Sequence, residues 1–243
     1  MITLIGTGHV FNLSPRLLSL FDEKQPDCLC VELDIQRYQG IMIKRTNPEA
    51  YKNASKQLPA IYKILARFQE NMANEYGVQP GDEMMTTIDY AKTHQLPLEF
   101  IDMNTQHVFI TMWKTMPMRE KLKLFLSGFG GFFVNKKRLE HELKNVQNDF
   151  DSYLQEIGNQ FPTIKKTLID ERNTYMTQRL LHLHTKYTNI IAIVGDGHIP
   201  GIVALLKENN IDVNVIRLQE LQQKQTDSDP THAHFTTQYK PLE

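Results

Sequence analysis

Two short apolar runs in this chain each end in a turn of the form Gly-x-Gly-His, and this duplication constrains the fold more than any other feature. Residues 2–5 lead into GTGH, which ends at His9, and residues 190–194 lead into GDGH, which ends at His198. Apolar runs of this length that are rich in β-branched side chains are typical of strands buried on both faces of a sheet. Because parallel sheets carry their sites at the carboxyl ends of strands, the pattern predicts neighbouring strands that bring the two histidines together.

The remaining strand and helix signals favour an α/β fold. Three further strand-like runs lie between helical segments, at residues 28–33, 98–101 and 212–218. We expect a mixed, largely parallel central sheet of about five strands flanked by helices. With 41% apolar residues, the chain fits a single domain over residues 1–218. Residues 105–187 carry only helical signals and predict a large helical insertion that covers the site, while residues 219–243 predict a polar C-terminal tail.

Two of the strand-like runs end on carboxylates, which are candidates for the same site. Glu32 ends a run made otherwise of Cys, Leu and Val, and Asp102 directly follows the run at 98–101. A carboxylate at the end of a buried strand is costly unless a partner meets it. Purely structural roles for the two carboxylates would be an ion pair between Glu32 and Arg37, and a helix cap by Asp102.

A charged pair also falls on a helix face that is otherwise apolar. Pro162 introduces a helix over residues 163–187, and its inward stripe is predicted to hold Ile164, Leu168, Glu171 and Tyr175. Arg172 lies next to Glu171, and charges aimed inward must meet other charges. The pattern favours a structural ion pair and a functional site equally.

Composition excludes several function classes. The formal net charge of -1 provides no field for nucleic acid, so we expect no nucleic-acid partner. Cys28 and Cys30 lie two apart in one strand, which favours small buried thiols in a reducing compartment over a disulfide, metal or redox role. We expect no signal peptide, because Met1 leads directly into the first strand-like run, and the longest apolar tract, residues 122–134, is shorter than the about 20 residues that span a bilayer. We therefore expect a cytoplasmic protein.

Residues 116–134 combine basic residues with leucines and phenylalanines around three glycines. This pattern is typical of a helical cap that packs on the core. It is also compatible with contact with a membrane surface or with a peptide-binding lid. Self-association into a homo-oligomer is left open.

Five motifs, in order along the chain, resemble those of the TraB/PrgY pheromone-shutdown family, which is related to the Tiki metalloproteases and GumN-like proteins. They are GTGH at 6–9, VELD at 31–34 with Arg37, GDEM at 81–84, ERN at 171–173 with Met176, and GDGH at 195–198 with PGI at 200–202. The resemblance implies metal-dependent hydrolysis of peptides, with His9, Glu32 and His198 as the functional core. It also implies substrate contacts by residues of the same motifs, namely Thr7, Glu83, Asn173, Gly195 and Gly197.

The chemistry of these side chains fits that expectation. Two imidazoles and a carboxylate make a three-ligand site with open positions for water, which suits Mn, Co or Zn. Asp102 or Glu171 is a candidate general base and Arg172 a candidate oxyanion stabiliser.

Three further functions are compatible with the same residues. In a metal-free hydrolase, the histidines act as acid and base and Glu32 orients one of them. A binding protein would hold or sequester peptides without turnover. A haem or metal carrier would use an exposed tyrosine or histidine to hold iron.

Overall fold

A five-stranded parallel sheet forms the centre of the computed structural model, which describes residues 1–8, 13–49, 81–131, 156 and 158–226. The strands are β1 (Ile2–Thr7), β2 (Cys28–Val31), β3 (Leu98–Phe100), β4 (Ile190–Gly195) and β5 (Val213–Ile216). Their order across the sheet is β3-β2-β4-β1-β5, and each neighbouring pair is parallel. The predicted α/β class is confirmed.

The two strands that precede the histidine turns lie side by side, as predicted. β1 pairs with β4 in a register that places Ile2 opposite Ile190 and Thr7 opposite Gly195. β2 lies on the other side of β4, with Cys28 also opposite Ile190. The carboxyl ends of β1, β4 and β2 therefore meet at one edge of the sheet.

Helices flank the sheet in the described part of the chain. In chain order they are α1 (Ser14–Lys24), α2 (Ile35–Thr46), α3 (Asp82–Thr93), α4 (Thr105–Thr115), α5 (Met118–Gly131), α6 (Pro162–Lys165), α7 (Glu171–His184), α8 (Ile199–Glu208) and α9 (Leu218–Thr226). A π-helical turn, Lys166–Asp170, joins α6 to α7, and a 3-10 turn, Asp196–His198, joins β4 to α8.

The core lies on both faces of the sheet because successive strand residues point in opposite directions. In β4, Ile191 and Ile193 pack with residues of α1, α3 and α9. Ile190, Ala192 and Val194 pack with residues of α7 and α8. A strand covered on both faces has no polar side, which explains the unbroken apolar run in the sequence.

Cys28 and Cys30 lie on the α7 and α8 face of β2 and are fully buried. Both thiols are free. The prediction of small buried side chains is confirmed.

The predicted inward stripe of the long helix is wrong. The buried residues of α7 are Asn173, Met176, Thr177, Leu180 and Leu183. Tyr175 is 37% exposed, and the side chain of Glu171 is 42% exposed. The hydrogen bonds of the π-helical turn before α7 span one more residue than those of an α-helix, so spacing counted from Ile164 does not carry across it.

The predicted tail begins as a helix that packs on the core. α9 buries Leu221 completely against the β1 and α1 side of the sheet. Residues 227–243 lie outside the described residues, as do residues 132–134 of the segment considered for membrane contact. Among the helices described, none is long and apolar enough to cross a membrane.

Candidate functional site

The centre of the candidate site is Glu32, the first residue after β2. Its side chain is 11% exposed. Its Oε2 atom accepts a hydrogen bond of 2.6 Å from the backbone N–H of Gly195, at the end of the adjacent strand β4. Its Oε1 atom contacts Arg172 Nη2 and lies 3.4 Å from His198 Nε2. The carboxylate thus joins the end of β4, the turn after it and helix α7.

Arg172 links this carboxylate to a second one. Its Nε and Nη2 atoms donate to Asp102 at 2.9 and 2.8 Å, and its Nη1 atom donates to the carbonyl of Leu168. The Asp102 side chain is fully buried and also accepts from Arg37 Nη1 at 3.3 Å. Two arginines therefore balance two carboxylates at the ends of β2 and β3.

This network shows which roles Asp102 and Arg37 take. Arg37 pairs with Asp102 and not with Glu32. The cap of α4 is Asn104, whose side chain accepts from the N–H of His107. Asp102 is thus part of the cluster, but both of its oxygens are occupied by arginine donors, which does not suit a general base.

Helix α7 also contacts the second ring nitrogen of His198, Nδ1, through Asn173. Its Nδ1 atom lies 2.6 Å from Asn173 Oδ1, and both side chains are buried. An amide oxygen only accepts, so Nδ1 carries the proton and the Nε2 atom of a neutral ring presents a lone pair toward Glu32. Two acceptors that face each other require a cation between or on them, which is either a proton on Nε2 or a metal ion.

The spacing of these two atoms fits a shared metal. Ligands bound at about 2.1 Å in a tetrahedral site lie about 3.4 Å from one another. The Nδ1–H of His198 is anchored to Asn173, which is the usual second contact of a metal-binding imidazole. Among the described residues, no group of three His, Cys, Asp or Glu side chains is placed to hold a metal. The third predicted ligand, His9, lies outside the described residues.

The charges around Glu32 determine its ionisation. Burial by itself raises the pKa of Glu32, but His198, Arg172 and the Gly195 N–H together hold it well below its usual range. Burial likewise lowers the pKa of Arg172, and the carboxylates of Glu32 and Asp102 more than offset this and raise it. Glu32 is therefore a carboxylate at neutral pH.

The other predicted site residues are distributed around the cluster. Thr7 is buried and donates from Oγ1 to the carbonyl of Val194, and Gly197 lies in the 3-10 turn. Glu83 is buried in the first turn of α3. Helix α3 leads into the start of β3, so the first turn of the helix lies at the opposite edge of the sheet, where the candidate site is. Glu171 is not brought to the cluster: its carboxylate lies 3.9 Å from Lys166 Nζ near the surface.

Two carboxylates that lie within the sequence motifs, but were not predicted as site residues, support the candidate site. Asp196 accepts from Arg217 Nε and Nη2 at 2.9 and 2.8 Å, which ties the second histidine turn to the end of β5. Asp34 accepts from two backbone N–H groups at the start of α2 and from the N–H and hydroxyl of Thr105. The position of Asp34 just before a helix is a sequence signal for a helix cap. No sequence signal indicates that Asp196 pairs with Arg217.

The sequence is similar to a known family and to individual proteins. A family model described as the TraB/PrgY/gumN family matches residues 1–215. An uncharacterized protein of Methanocaldococcus jannaschii is 31% identical over 237 residues, which cover 92% of this chain and 58% of that protein. A TraB domain-containing protein of Bos taurus is 20% identical over 235 residues, which cover 83% of this chain and 61% of that protein. The chain thus spans about six-tenths of the length of these relatives.

Proposed function

This chain belongs to the TraB/PrgY/gumN family, and we propose that it is a metal-dependent hydrolase that acts on peptides. The observation that carries the proposal is the 3.4 Å approach of His198 Nε2 to Glu32 Oε1 at the carboxyl edge of the sheet. This edge is where parallel sheets place their functional groups.

The proposed ligands are His198, Glu32 and His9. Thr7 lies opposite Gly195 at the end of the paired strands, and His9 follows Thr7 by two positions in the sequence. We propose that the imidazole of His9 completes the set. A divalent ion such as Zn, Mn or Co would lower the pKa of a bound water and polarise the peptide carbonyl.

The remaining residues hold this site in a fixed charge state. Arg172 keeps Glu32 ionised and oriented, and it commits donors on all three of its nitrogens to protein acceptors. This commitment supports a positioning role for Arg172 over direct contact with an oxyanion. Helix α8 begins directly after His198, so the positive end of its dipole favours negative charge that develops there.

A metal-free hydrolase is the second candidate, and the same contact supports it. With a proton on Nε2, His198 is an imidazolium that donates to Glu32 and to Asn173. Such a ring could deliver a proton to a leaving group while Glu32 orients it. The free, buried thiols of Cys28 and Cys30 fit a reducing, cytoplasmic setting for either candidate.

The test is metal binding followed by cleavage. Purified protein is stripped of metal, titrated with Zn, Mn and Co by calorimetry, and then assayed against a peptide library with each metal. We expect one equivalent of metal to bind and cleavage to depend on it. His9→Ala, Glu32→Gln and His198→Ala should each lower metal affinity and cleavage together.

The matched control is His182→Ala, because His182 is exposed on the helix that carries Arg172. It should bind metal as the wild type does. Cleavage without metal that His198→Ala abolishes would replace the first candidate with the second. Peptide binding without cleavage under any condition would overturn both candidates in favour of a binding protein.

A further inference from the structure

Two consecutive helices of the insertion expose large apolar side chains. Helix α4 exposes Ile110 and Trp113, and α5 exposes Met118, Leu122 and Leu126 by 75, 60 and 63%. Isolated exposed apolar residues are ordinary, but a group on adjoining helices marks an interaction surface. We call these five residues the apolar patch.

The apolar patch faces away from the body of the protein. Met118, Leu122 and Leu126 are spaced four apart and so form one stripe along α5. Glu120 lies on the opposite side of that helix, where its carboxylate accepts from the N–H and hydroxyl of Thr163 at 3.1 and 3.0 Å. This contact fixes the rotation of α5 and leaves the stripe toward solvent.

Basic residues border the apolar patch on both sides. At about 100° per residue, Arg119 and Lys123 flank one side of the stripe and Lys121 flanks the other. Lys121 Nζ lies 5.2 Å from the centre of the Trp113 ring, which joins the exposed faces of α4 and α5. From residue 105 to 126 the sequence holds no acidic residue except Glu120, whose carboxylate is engaged by Thr163.

From this arrangement we infer that the apolar patch binds the surface of an anionic lipid bilayer. An apolar stripe bordered by lysine and arginine lies in the interface with its basic side chains at the phosphate level. Tryptophan prefers the same depth. A second copy of this chain would bring the same positive charges together, so charge complementarity favours the bilayer over self-association. This inference is independent of the proposed hydrolase.

The fluorescence of Trp113 can report contact of the apolar patch with a bilayer, because Trp113 is the only tryptophan among the 243 residues. We would measure its fluorescence while titrating the full chain with vesicles of neutral phosphatidylcholine, or of phosphatidylcholine mixed with phosphatidylserine. The emission should shift to shorter wavelength and be quenched by brominated lipid with the anionic vesicles only. High salt should weaken this binding, since it screens the charges.

Variants test whether the apolar patch itself inserts. Leu122→Glu combined with Leu126→Glu should lower vesicle affinity on the order of tenfold or more, because two apolar contacts are replaced by charges that the lipid repels. Ile43→Glu is the matched control, since Ile43 is 45% exposed on α2, outside the apolar patch. Both changes are at the surface, and circular dichroism would confirm that each protein still folds.

Three results would overturn the inference. The first is an unchanged tryptophan emission with anionic vesicles. The second is vesicle binding that the double variant retains in full. The third is a dimer in sedimentation measurements that the double variant dissolves, which would assign the apolar patch to a second copy of this chain.

Discussion

Arg172 donates two hydrogen bonds to Asp102, at 2.9 and 2.8 Å, across 70 positions of the sequence. Asp102 lies two residues after the end of β3, and Arg172 lies in α7. This pair of hydrogen bonds therefore joins the helical insertion to the carboxyl edge of the sheet. The same guanidinium contacts Glu32. One arginine therefore compensates two buried carboxylates that would otherwise repel each other.

We predict that Arg172→Met destabilises the protein by about 3–5 kcal/mol, the usual effect of breaking a buried ion pair from one side. The change leaves Asp102 and Glu32 buried with less compensation. Urea unfolding at neutral pH would measure it. Arg179→Met is the control on the same helix, because Arg179 pairs with the partly exposed Glu99. The control should lose less than about 1 kcal/mol, and equal losses for the two variants would contradict the prediction.

Acid should weaken the fold partly through Glu32. The pKa of Glu32 is held below its ordinary value of 4.5 in the folded state, so the unfolded chain binds a proton more readily. The stabilisation is complete above pH 4.5 and is lost as the pH falls through the lower folded pKa. We therefore expect the free energy of unfolding to decrease on acidification below about pH 4.5.

Glu32→Gln isolates this contribution from that of other carboxylates. The variant should be less stable than the wild type at pH 7, and the difference should shrink as the pH falls below 4.5, because the unfolded wild-type chain then takes up a proton on Glu32. Urea unfolding across that range gives both curves. Parallel curves with a constant offset would show that the carboxylate is not the group that titrates.

The sheet, and the placement of Glu32 and His198 together at one edge of it, could be predicted because local pattern controls them. A run such as residues 190–194 is apolar on both faces only if both faces are covered, and a parallel sheet places such strand ends together. Glu32 could be found because a charged residue ends a buried strand. His198 could be found because its turn starts a helix.

Other features depend on partners distant in the sequence. Arg37 pairs with Asp102 rather than with Glu32 because β3 lies beside β2. The sequence does not show which strands are neighbours. The outward turn of Glu171 depends on the π-helical turn at residues 166–170, and no residue pattern indicated it. Asp196 meets Arg217 only because β5 lies next to β1.

The thiols of Cys28 and Cys30 should be unreactive in the folded protein. Both are fully buried, and a hydrogen bond with Cys28, together with burial, raises the pKa of the Cys30 thiol well above its usual range. Reaction with an aromatic disulfide reagent at pH 8 should release no chromophore from native protein. In denaturant it should release two equivalents, since the sequence has two cysteines. Rapid modification of the native protein would place at least one thiol at the surface.

The orientation of His198 depends on a glycine as well as on Asn173. A Cβ atom added at Gly201 would lie 2.1 Å from Asn173 Nδ2, so the side chain at this position must be absent for the amide to sit against α8. The amide in turn receives the Nδ1–H of His198. Gly201 thus acts on His198 through Asn173.

We predict that Asn173→Ala and Gly201→Ala both release His198 from the tautomer with its proton on Nδ1. Asn173→Ala removes the hydrogen-bond acceptor of Nδ1, and Gly201→Ala displaces it. The ring should then exchange between its two tautomers, and ¹⁵N NMR of labelled histidine would measure this exchange. If the proposed metal site is present, affinity should fall about 10- to 100-fold, as for other residues that anchor a metal-binding imidazole. Gly40→Ala is the matched control, because a Cβ there meets no atom within 4 Å. An unchanged His198 spectrum in Asn173→Ala would refute this coupling, and a changed spectrum in Gly40→Ala would make it nonspecific.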